Sequence, residues 1–344
     1  MRRRRVLVVM HEELIPPEST AGLDEAEIYR WKMEFDALSA LRGLGHEVIP
    51  LGVSDDLAPI RRGIEEHKPH LVFNLLGHFQ GITLYDAHVI SWLELRRTPY
   101  TGCNPRGLLL SSDKVLSKKI LAWHRIPIPG FKTFRRGLTI RAPRRLRFPL
   151  FVKSAAEHAS IGIAQASIVH TEDALVERVR FVHESIGTDA LAEEYVEGRE
   201  LYVGVLGNQR LTVFPTWEMT FESLPKGTAP IATSKVKWSV TYQEKLGVKT
   251  ALAKGLPPAL EAKIPKLARR IYKALGLSGY ARIDLRLDAG GRVFVLEANA
   301  NPDLSRDEDF AESARATGVE YPDLLQRIMN LGVRYMPAWK EEEA

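Results

Sequence analysis

The sequence predicts an α/β protein, α+β in part, built from two or three domains. Three observations carry that expectation. A chain of 344 residues is too long for one comfortable core. Its first hundred residues alternate short apolar runs with helical periodicity. Near the other end, Ala281–Leu287 places Ile283, Leu285 and Leu287 on one face and Arg282, Asp284 and Arg286 on the other. That period of two is a strand with one apolar side, and Asp288-Ala289-Gly290-Gly291 is turn chemistry before a returning strand, Arg292–Glu297.

Val6–Met10 reads as a buried first strand. Glu25–Leu44 carries Ile28, Trp31, Phe35, Leu38 and Leu41 at helical spacing, and Gly45 stops it. Glu47–Leu51 and His70–Leu76 are further strands, with Ile60 and Ile64 marking a helix between them. This order predicts a small parallel sheet. Loops Met10–Ser19 and Gly77–Thr83 then follow strand carboxyl ends, where open α/β sheets present ligands. Glu12, Glu13, His78 and Gln80 are therefore substrate-side candidates, each also readable as an ordinary loop residue.

Ser111-Ser112-Asp113 opens a helix bearing Lys114, Lys118 and Lys119, and Pro127 and Pro129 close it. Arg135–Arg147 is a basic, proline-interrupted exposed loop. Pro149–Lys153 is a short strand ending in a lysine, a suitable point charge for phosphate, and Ser160-Ile161-Gly162 permits close backbone approach. Thr171 caps a helix over Glu172–Ile186. Ala190–Tyr195 and Leu201–Leu206 are strands, and on residue type alone Glu193, Glu194, Glu197 and Glu200 form a solvated hairpin. Thr220–Thr250 is the least regular part. Ile264, Leu267, Ile271 and Leu275 give an amphipathic helix to cover the later hairpin, and Glu341–Glu343 is a frayed tail.

Glu297 and Asn299, two apart on extended backbone, point the same way, as do Arg282 and Asp284 on the partner strand. Two carboxylates and a carboxamide are hard oxygen ligands of the kind Mg²⁺ takes, together with water and phosphate. The plainer alternative is a hairpin with a solvated charged face.

Composition narrows the classes. Apolar residues make up 45% and charged residues 26%, as in ordinary globular proteins. One cysteine, Cys103, excludes an internal disulfide and fits a reducing, cytoplasmic compartment; it reads as packing rather than nucleophile. No window offers a membrane span, and Arg2–Arg5 precede a run too short for a signal peptide. The net charge of +5 is scattered, which disfavours nucleic acid and suits an anionic substrate such as a nucleotide.

The stretch Arg282-Ile283-Asp284 with Leu296-Glu297-Ala298-Asn299 and Pro302 resembles the metal-binding end of ATP-grasp ligases, most closely the D-alanine–D-alanine ligase group. Further segments, from about Pro99 to Ser305, are similar to that group: Tyr100–Asn104 with Lys114, the loop after Lys153, and Glu193-Glu194-Tyr195-Val196-Glu197-Gly198-Arg199-Glu200. The resemblance implies an ATP-grasp fold with an N-terminal parallel α/β domain over 1–101, a central lid over 102–190 and a catalytic domain over 191–344. It implies ATP and two Mg²⁺ ions, with Mn²⁺ as a substitute, held by Asp284, Glu297 and Asn299. Lys114 and Lys153 would reach phosphates, Ser160 and Gly162 would close over them, Glu193, Glu194 and Val196 would line adenine, and Glu200 would hold the ribose. Lys237, with Lys235 as rival, would reach the γ-phosphate, and Arg282 would face the acyl-phosphate and tetrahedral intermediate.

The implied reaction is ATP-dependent joining of a carboxylate to an amine through an acyl-phosphate, with small amino acids or peptides as substrates and a homodimer as a conceivable assembly. The sequence departs from the D-alanine enzyme at the first loop, at Ser154, His158 and Ala159, at Trp238, and at Asp303 where that group has glycine. A different substrate pair is expected, with a cationic group facing Asp303 unless that side chain points away. A small-molecule kinase or carboxylase, the D-alanine ligase itself, and a nucleotide-binding regulator are the alternatives.

Overall fold

The computed structural model describes residues 3–157 and 160–341. Arg2 of the basic leader, His158 and Ala159 of the loop, and Glu342 and Glu343 of the tail lie outside the described residues. Among the described residues, no helix is long and apolar enough to cross a membrane.

The chain opens with β1 (Arg5–His11), α1 (Glu25–Arg30), α2 (Lys32–Gly43), β2 (Glu47–Val53), α3 (Ala58–His67), β3 (Leu71–Asn74) and α4 (Asp86–Leu95). The strands form a parallel sheet in the order β2-β1-β3, as the alternation predicts. The expected single helix over Glu25–Leu44 is two helices. Trp31 takes φ −126° and closes the first one onto Ile28. No glycine or proline announces the break; Trp31 buries its indole beside Phe35, and that burial overrides propensity.

Next come α5 (Pro105–Ser112) and α6 (Lys114–Trp123), the latter capped by the Asp113 carboxylate, which accepts from the N–H groups of Val115 and Leu116. A four-stranded sheet follows, from β4 (Phe131–Phe134), β5 (Leu150–Ser154), β6 (Ile168–Val169) and β7 (Ala190–Glu194), in the order β4-β7-β5-β6. Helix α7 (Glu172–Phe181) covers it and is capped by Thr171 as expected, but it ends at Phe181, with one wider turn carrying the chain to Gly187.

The largest sheet takes β8 (Arg199–Leu206), β9 (Thr212–Val213), β10 (Trp217–Phe221), β11 (Val248–Leu252), β12 (Tyr280–Leu287) and β13 (Val293–Ala300). Its path is β11-β10-β8-β12-β13, with β9 on β8. The solvated hairpin expected around Glu193–Glu200 is not formed: β7 and β8 lie in different sheets, and Glu193 and Glu200 are buried. Gly198 makes the turn between them at φ +142°, where a Cβ would stand 2.1 Å from the Leu287 carbonyl oxygen. The segment 220–250 is also more regular than expected, holding α8 (Ser234–Trp238) and α9 (Val240–Leu246) before β11.

Helix α10 (Pro258–Ala274) buries Ile264, Leu267 and Ile271 against the apolar face of β12 and β13, as its pattern requires. Helices α11 (Asp309–Arg315) and α12 (Tyr321–Arg334) cover the other side, and α12 packs on α2 and β3. Helix α12 thus leans on the first sheet. A shared core of Val6, Val8, Leu38, Phe73, Tyr280, Phe310 and Ile328 joins the two ends of the chain.

Candidate active site

The β12–β13 hairpin holds the centre of the site, and a bulge decides what it presents. Asp284 pairs with Glu297 and Arg282 with Asn299, but Leu285 pairs with Val295, so Leu296 is an extra residue on β13. Val293, Val295, Glu297 and Asn299 share one parity in the sequence. In a regular strand, the two valines and the two polar groups would face the same way. The bulge switches the face between them: Val293, Val295 and Ala298 enter the core, and Glu297 and Asn299 join Arg282 and Asp284. The released Leu296 carbonyl accepts from Lys118 Nζ at 3.0 Å. Neither the bulge nor the extension of the strand past Glu297 is visible in the sequence pattern.

The charged face of the hairpin is not solvated: Asp284 and Arg286 are buried, and Arg282, Glu297 and Asn299 are half-buried. Arg282 grips Asp284 bidentately at 2.8 and 2.9 Å, lies 3.5 Å from Asp309 and stacks over the Tyr202 ring. Burial, with Glu297 and Glu200 nearby, pushes Asp284 up to about 6 against the pull of Arg282. Asn299 Nδ2 donates to Asp284 Oδ2 at 2.8 Å, which brings the three proposed ligands onto one patch. Among the described residues, no cluster of three His, Cys, Asp or Glu side chains is placed to hold a metal alone. The donor set nonetheless fits Mg²⁺ shared with phosphate: two carboxylates and an amide oxygen, adjacent in register, with the remaining positions left to phosphate and water.

Three lysines face that patch. Lys114 Nζ lies 3.5 Å and Lys153 Nζ 3.7 Å from Glu297 Oε2. Lys153 also approaches Glu193 at 3.3 Å, and Lys118 approaches Glu193 at 2.5 Å. Burial pushes both Lys118 and Lys153 down, with mutual repulsion among the lysines adding to it. Lys118, one turn beyond Lys114 on α6, is not among the expected site residues; the i, i+4 spacing is the signal that marks it.

Glu193 and Glu194 are neighbours on a strand and point to opposite faces. Glu193 faces the lysines, while Glu194 accepts from the Arg147 N–H at 2.9 Å and so ties down the basic loop. Val196 lies half-buried just beyond β7. Glu200 accepts from Arg286 at 2.7 Å and from the Tyr202 hydroxyl at 2.8 Å. Arg286 also donates to the carbonyls of Gly198 and Pro230, so it gathers the turn, the Glu200 carboxylate and the 220–250 segment. It shares the polar face of β12 with Arg282, and that parity is its sequence signal.

Ser160 and Gly162 both sit at positive φ, 59° and 72°. Arg178 of α7 donates to the Gly162 carbonyl and to Ser167 Oγ, pinning the loop from behind. The Ile163 carbonyl accepts from the Ser234 N–H, and Gln165 exchanges two hydrogen bonds with Ala229. The loop is thereby joined to α8. There Lys235 is exposed and Lys237 half-buried. Burial pushes Lys237 down, then Arg282 does so, while Asp303, Asp284 and Glu308 oppose. Of the two rivals, Lys237 is the one turned toward Arg282.

Asp303 is exposed and accepts from the N–H and hydroxyl of Ser305, both at 2.7 Å. Its charge acts on Lys237, Glu308 and Glu34, so it stands on the site side. At the mouth of the first sheet, the His11 and His78 rings lie 4.8 Å apart, and burial followed by His11 pushes His78 down. Glu13 pairs with Arg30 and Glu12 is exposed, while Gln80 is spent on the backbone of Ser54 and Asp55. Cys103 is fully buried, its thiol pushed up to about 12, as packing predicts.

Comparison with known proteins agrees with this layout. Residues 120–330 match the family described as "D-ala D-ala ligase C-terminus". The D-alanine–D-alanine ligase of Desulforudis audaxviator is 32% identical over 85% of this chain and 90% of its own. The protein y4sG of Sinorhizobium fredii is 36% identical over 77% of this chain and 75% of its own. The crystal structure of the Bacillus anthracis D-alanine–D-alanine ligase complexed with ATP superposes with a TM-score of 0.73 at 22% identity, covering 99% of this chain and all of that one. With the hairpin, the lysines and the three sheets in that arrangement, the chain belongs to the D-alanine–D-alanine ligase family of ATP-grasp proteins.

Proposed function

We propose that this ATP-dependent, ADP-forming ligase joins a carboxylate to an amine through an acyl-phosphate, and that its substrates are small amino acids or peptides other than a pair of D-alanines. The observation that carries the reading is the continuous patch of Asp284, Glu297, Asn299, Arg282, Lys114 and Lys153, buried or half-buried throughout. In the first step a substrate carboxylate oxygen attacks the γ-phosphorus and ADP departs. In the second an amine nitrogen attacks the acyl carbon, phosphate leaves with the C–O electron pair, and the nitrogen loses a proton.

Lys114 and Lys153 attract the phosphates, and Lys237 adds charge at the transferred group. Ser160 and Gly162 cover the phosphates, Glu193 and Val196 line the base while Glu194 is turned away to the Arg147 N–H, and Glu200, oriented by Arg286, takes the ribose hydroxyls. Mg²⁺ held by Asp284, Glu297 and Asn299 supplies neutralising charge when bound. Arg282, kept protonated by Asp284 and Asp309 despite burial, faces the developing oxyanion. No side-chain nucleophile is required, which suits an inert, buried Cys103 and a cytoplasmic setting.

The departure from D-alanine rests on Asp303. An aspartate beside the carboxylate of a second D-alanine adds like-charge repulsion in a partly desolvated site. The test is incubation with ATP, Mg²⁺ and millimolar D-alanine, with mass spectrometry of the products. Negligible dipeptide is expected, and efficient synthesis would overturn the specificity. A parallel screen of amino acids and short peptides for ADP, phosphate and a new amide tests the reaction; ADP without amide would replace the ligase by a kinase.

A further inference from the structure

The buried guanidinium of Arg286 joins segments that lead to opposite ends of a nucleotide. Arg286 is 3% exposed and stands opposite Glu200 where β12 pairs with β8. Its Nη2 donates to Glu200 Oε2 and to the Pro230 carbonyl, both at 2.7 Å. Its Nη1 donates to the Gly198 carbonyl at 2.8 Å, and the Tyr195 ring lies 5.8 Å away. One nitrogen thus holds a carboxylate on β8 and a carbonyl of the 220–250 segment together. A lysine ammonium, with all its donors on one atom, cannot reproduce the fork that also reaches Gly198.

On one side of this junction stands the ribose carboxylate. Glu200 Oε1 accepts from the Tyr202 hydroxyl at 2.8 Å and Oε2 from Arg286, so each oxygen keeps a lone pair for a further hydroxyl. On the other side stands the chain that carries Lys237. Pro230 follows Ala229, which exchanges two hydrogen bonds with Gln165 just past the phosphate loop. Three residues beyond Pro230, the Thr233 hydroxyl accepts from the Val236 N–H and caps α8, the helix of Lys237. The orientation of the Glu200 carboxylate and the position of Pro230 are therefore set by the same buried group.

We propose that Arg286 is a positioning residue that couples ribose recognition at Glu200 to the seating of the 220–250 segment over the third phosphate. The proposal rests on the ligase reading above and adds the nucleotide sugar to its specificity. Ribose hydroxyls on Glu200 hold the carboxylate where the guanidinium also meets Pro230, and α8 then presents Lys237 to the arriving phosphate. A 2′-deoxyribose leaves one buried lone pair of Glu200 unanswered, which loosens the carboxylate and, through Arg286, the grip on the phosphate end. The preferred nucleotide is a ribonucleoside triphosphate, and its sugar and its third phosphate reinforce each other.

The test is calorimetric titration of the full chain, with Mg²⁺ and no amino acid, using ATP, ADP, 2′-deoxyATP and 2′-deoxyADP. In the wild type the third phosphate should strengthen binding about fivefold more on ribose than on deoxyribose, the low end of a coupling between two sites. In Arg286→Lys that excess should vanish, while a preference for ribose and a preference for the triphosphate each persist. A merely structural Arg286 would weaken every nucleotide alike and keep the excess, and that result would overturn the proposal. Where Arg286→Lys does not fold, Glu200→Gln makes the same test: it keeps the side chain's shape, removes the charge that answers Arg286, and should also abolish the excess. An excess that survives in Glu200→Gln would likewise overturn the coupling. A wild-type preference for ribose that is equal for diphosphate and triphosphate would sink the proposal alone. No ribose preference at all would remove Glu200 from the sugar and sink the nucleotide placement of the ligase reading with it.

Discussion

On the phosphate side of the site, Lys114, Lys118 and Lys153 close around Glu193 and Glu297, and each charge already has a partner of opposite sign. On the side of α2 and the segment 303–309, Asp303, Glu308 and Asp309 act on Lys237, Glu34 lies buried beside Asp303, and Asp284 has already claimed Arg282. The first region sets three lysines against two carboxylates, so it is held by ion pairs and keeps a positive excess. In the second, burial pushes the carboxyls of Glu34, Glu308 and Asp309 above the ordinary carboxylate range. The two regions therefore differ in how their charges are answered, by ion pairs in the first and by burial in the second.

Breaking the ion-paired side at the metal patch has the largest expected effect. Glu297→Gln removes an anionic oxygen where phosphate charge is neutralised and leaves the strand intact. ADP formation should fall about a hundred- to a thousandfold, the scale of one preorganised electrostatic group, with circular dichroism unchanged. Wild-type turnover at ordinary Mg²⁺ would remove Glu297 from the metal patch.

Lys118 tests whether the pairing is structural. It is 2% exposed and spans Glu193 and the Leu296 carbonyl freed by the bulge. Lys118→Met leaves Glu193 with Lys153 alone, so stability should drop by about 3 kcal/mol, toward the low end for breaking a buried pair. Urea denaturation reads it directly. An unchanged midpoint and slope would mean that the lysine contributes no net stability.

Much of the ion-paired side is legible in the sequence, because its groups lie on regular elements whose parity or spacing exposes them. Asp284 and Arg282 alternate with Ile283 and Leu285, Asp113 caps the helix of Lys114, and Lys153 stands one residue before the end of a strand. Hidden are the features set by contacts between distant segments. The bulge at Leu296 follows from pairing with β12, and the burial of Glu200 from Arg286 on another strand. Strand β4, only Phe131–Phe134, takes its identity from pairing with β7. The side of α2 is hardest to read: Glu34 looks like an ordinary helix glutamate until α2 is seen beside Asp303.

Lys153→Ala probes the nucleotide more gently. One charged contact to phosphate is lost, and ATP affinity should weaken by about 1.5–3 kcal/mol. Binding of the acceptor amine should be unaffected, because Lys153 pairs with Glu193 and Glu297 rather than with the acids around Lys237. Unchanged ATP affinity by calorimetry would place the phosphates elsewhere.

The smallest expected effect separates the two regions most cleanly. Asp113 touches neither substrate in this reading; its carboxylate accepts from Val115 N–H at 3.0 Å and Leu116 N–H at 2.9 Å and so fixes the start of α6. Asp113→Ala leaves two helix N–H groups unanswered, at a cost of about 1 kcal/mol, which for a chain of this size lowers Tm by about 2 °C. The first turn of α6 begins at Lys114, whose Nζ reaches both the Glu157 carbonyl and Glu297. A looser first turn blurs that reach, so KM for ATP should rise a few-fold. Asp303 stands on the segment after β13, and KM for the amine should hold. A rise confined to the amine, or an equal rise in both, would show that the two regions are not mechanically separate and that α6 positions the side of Asp303 as well.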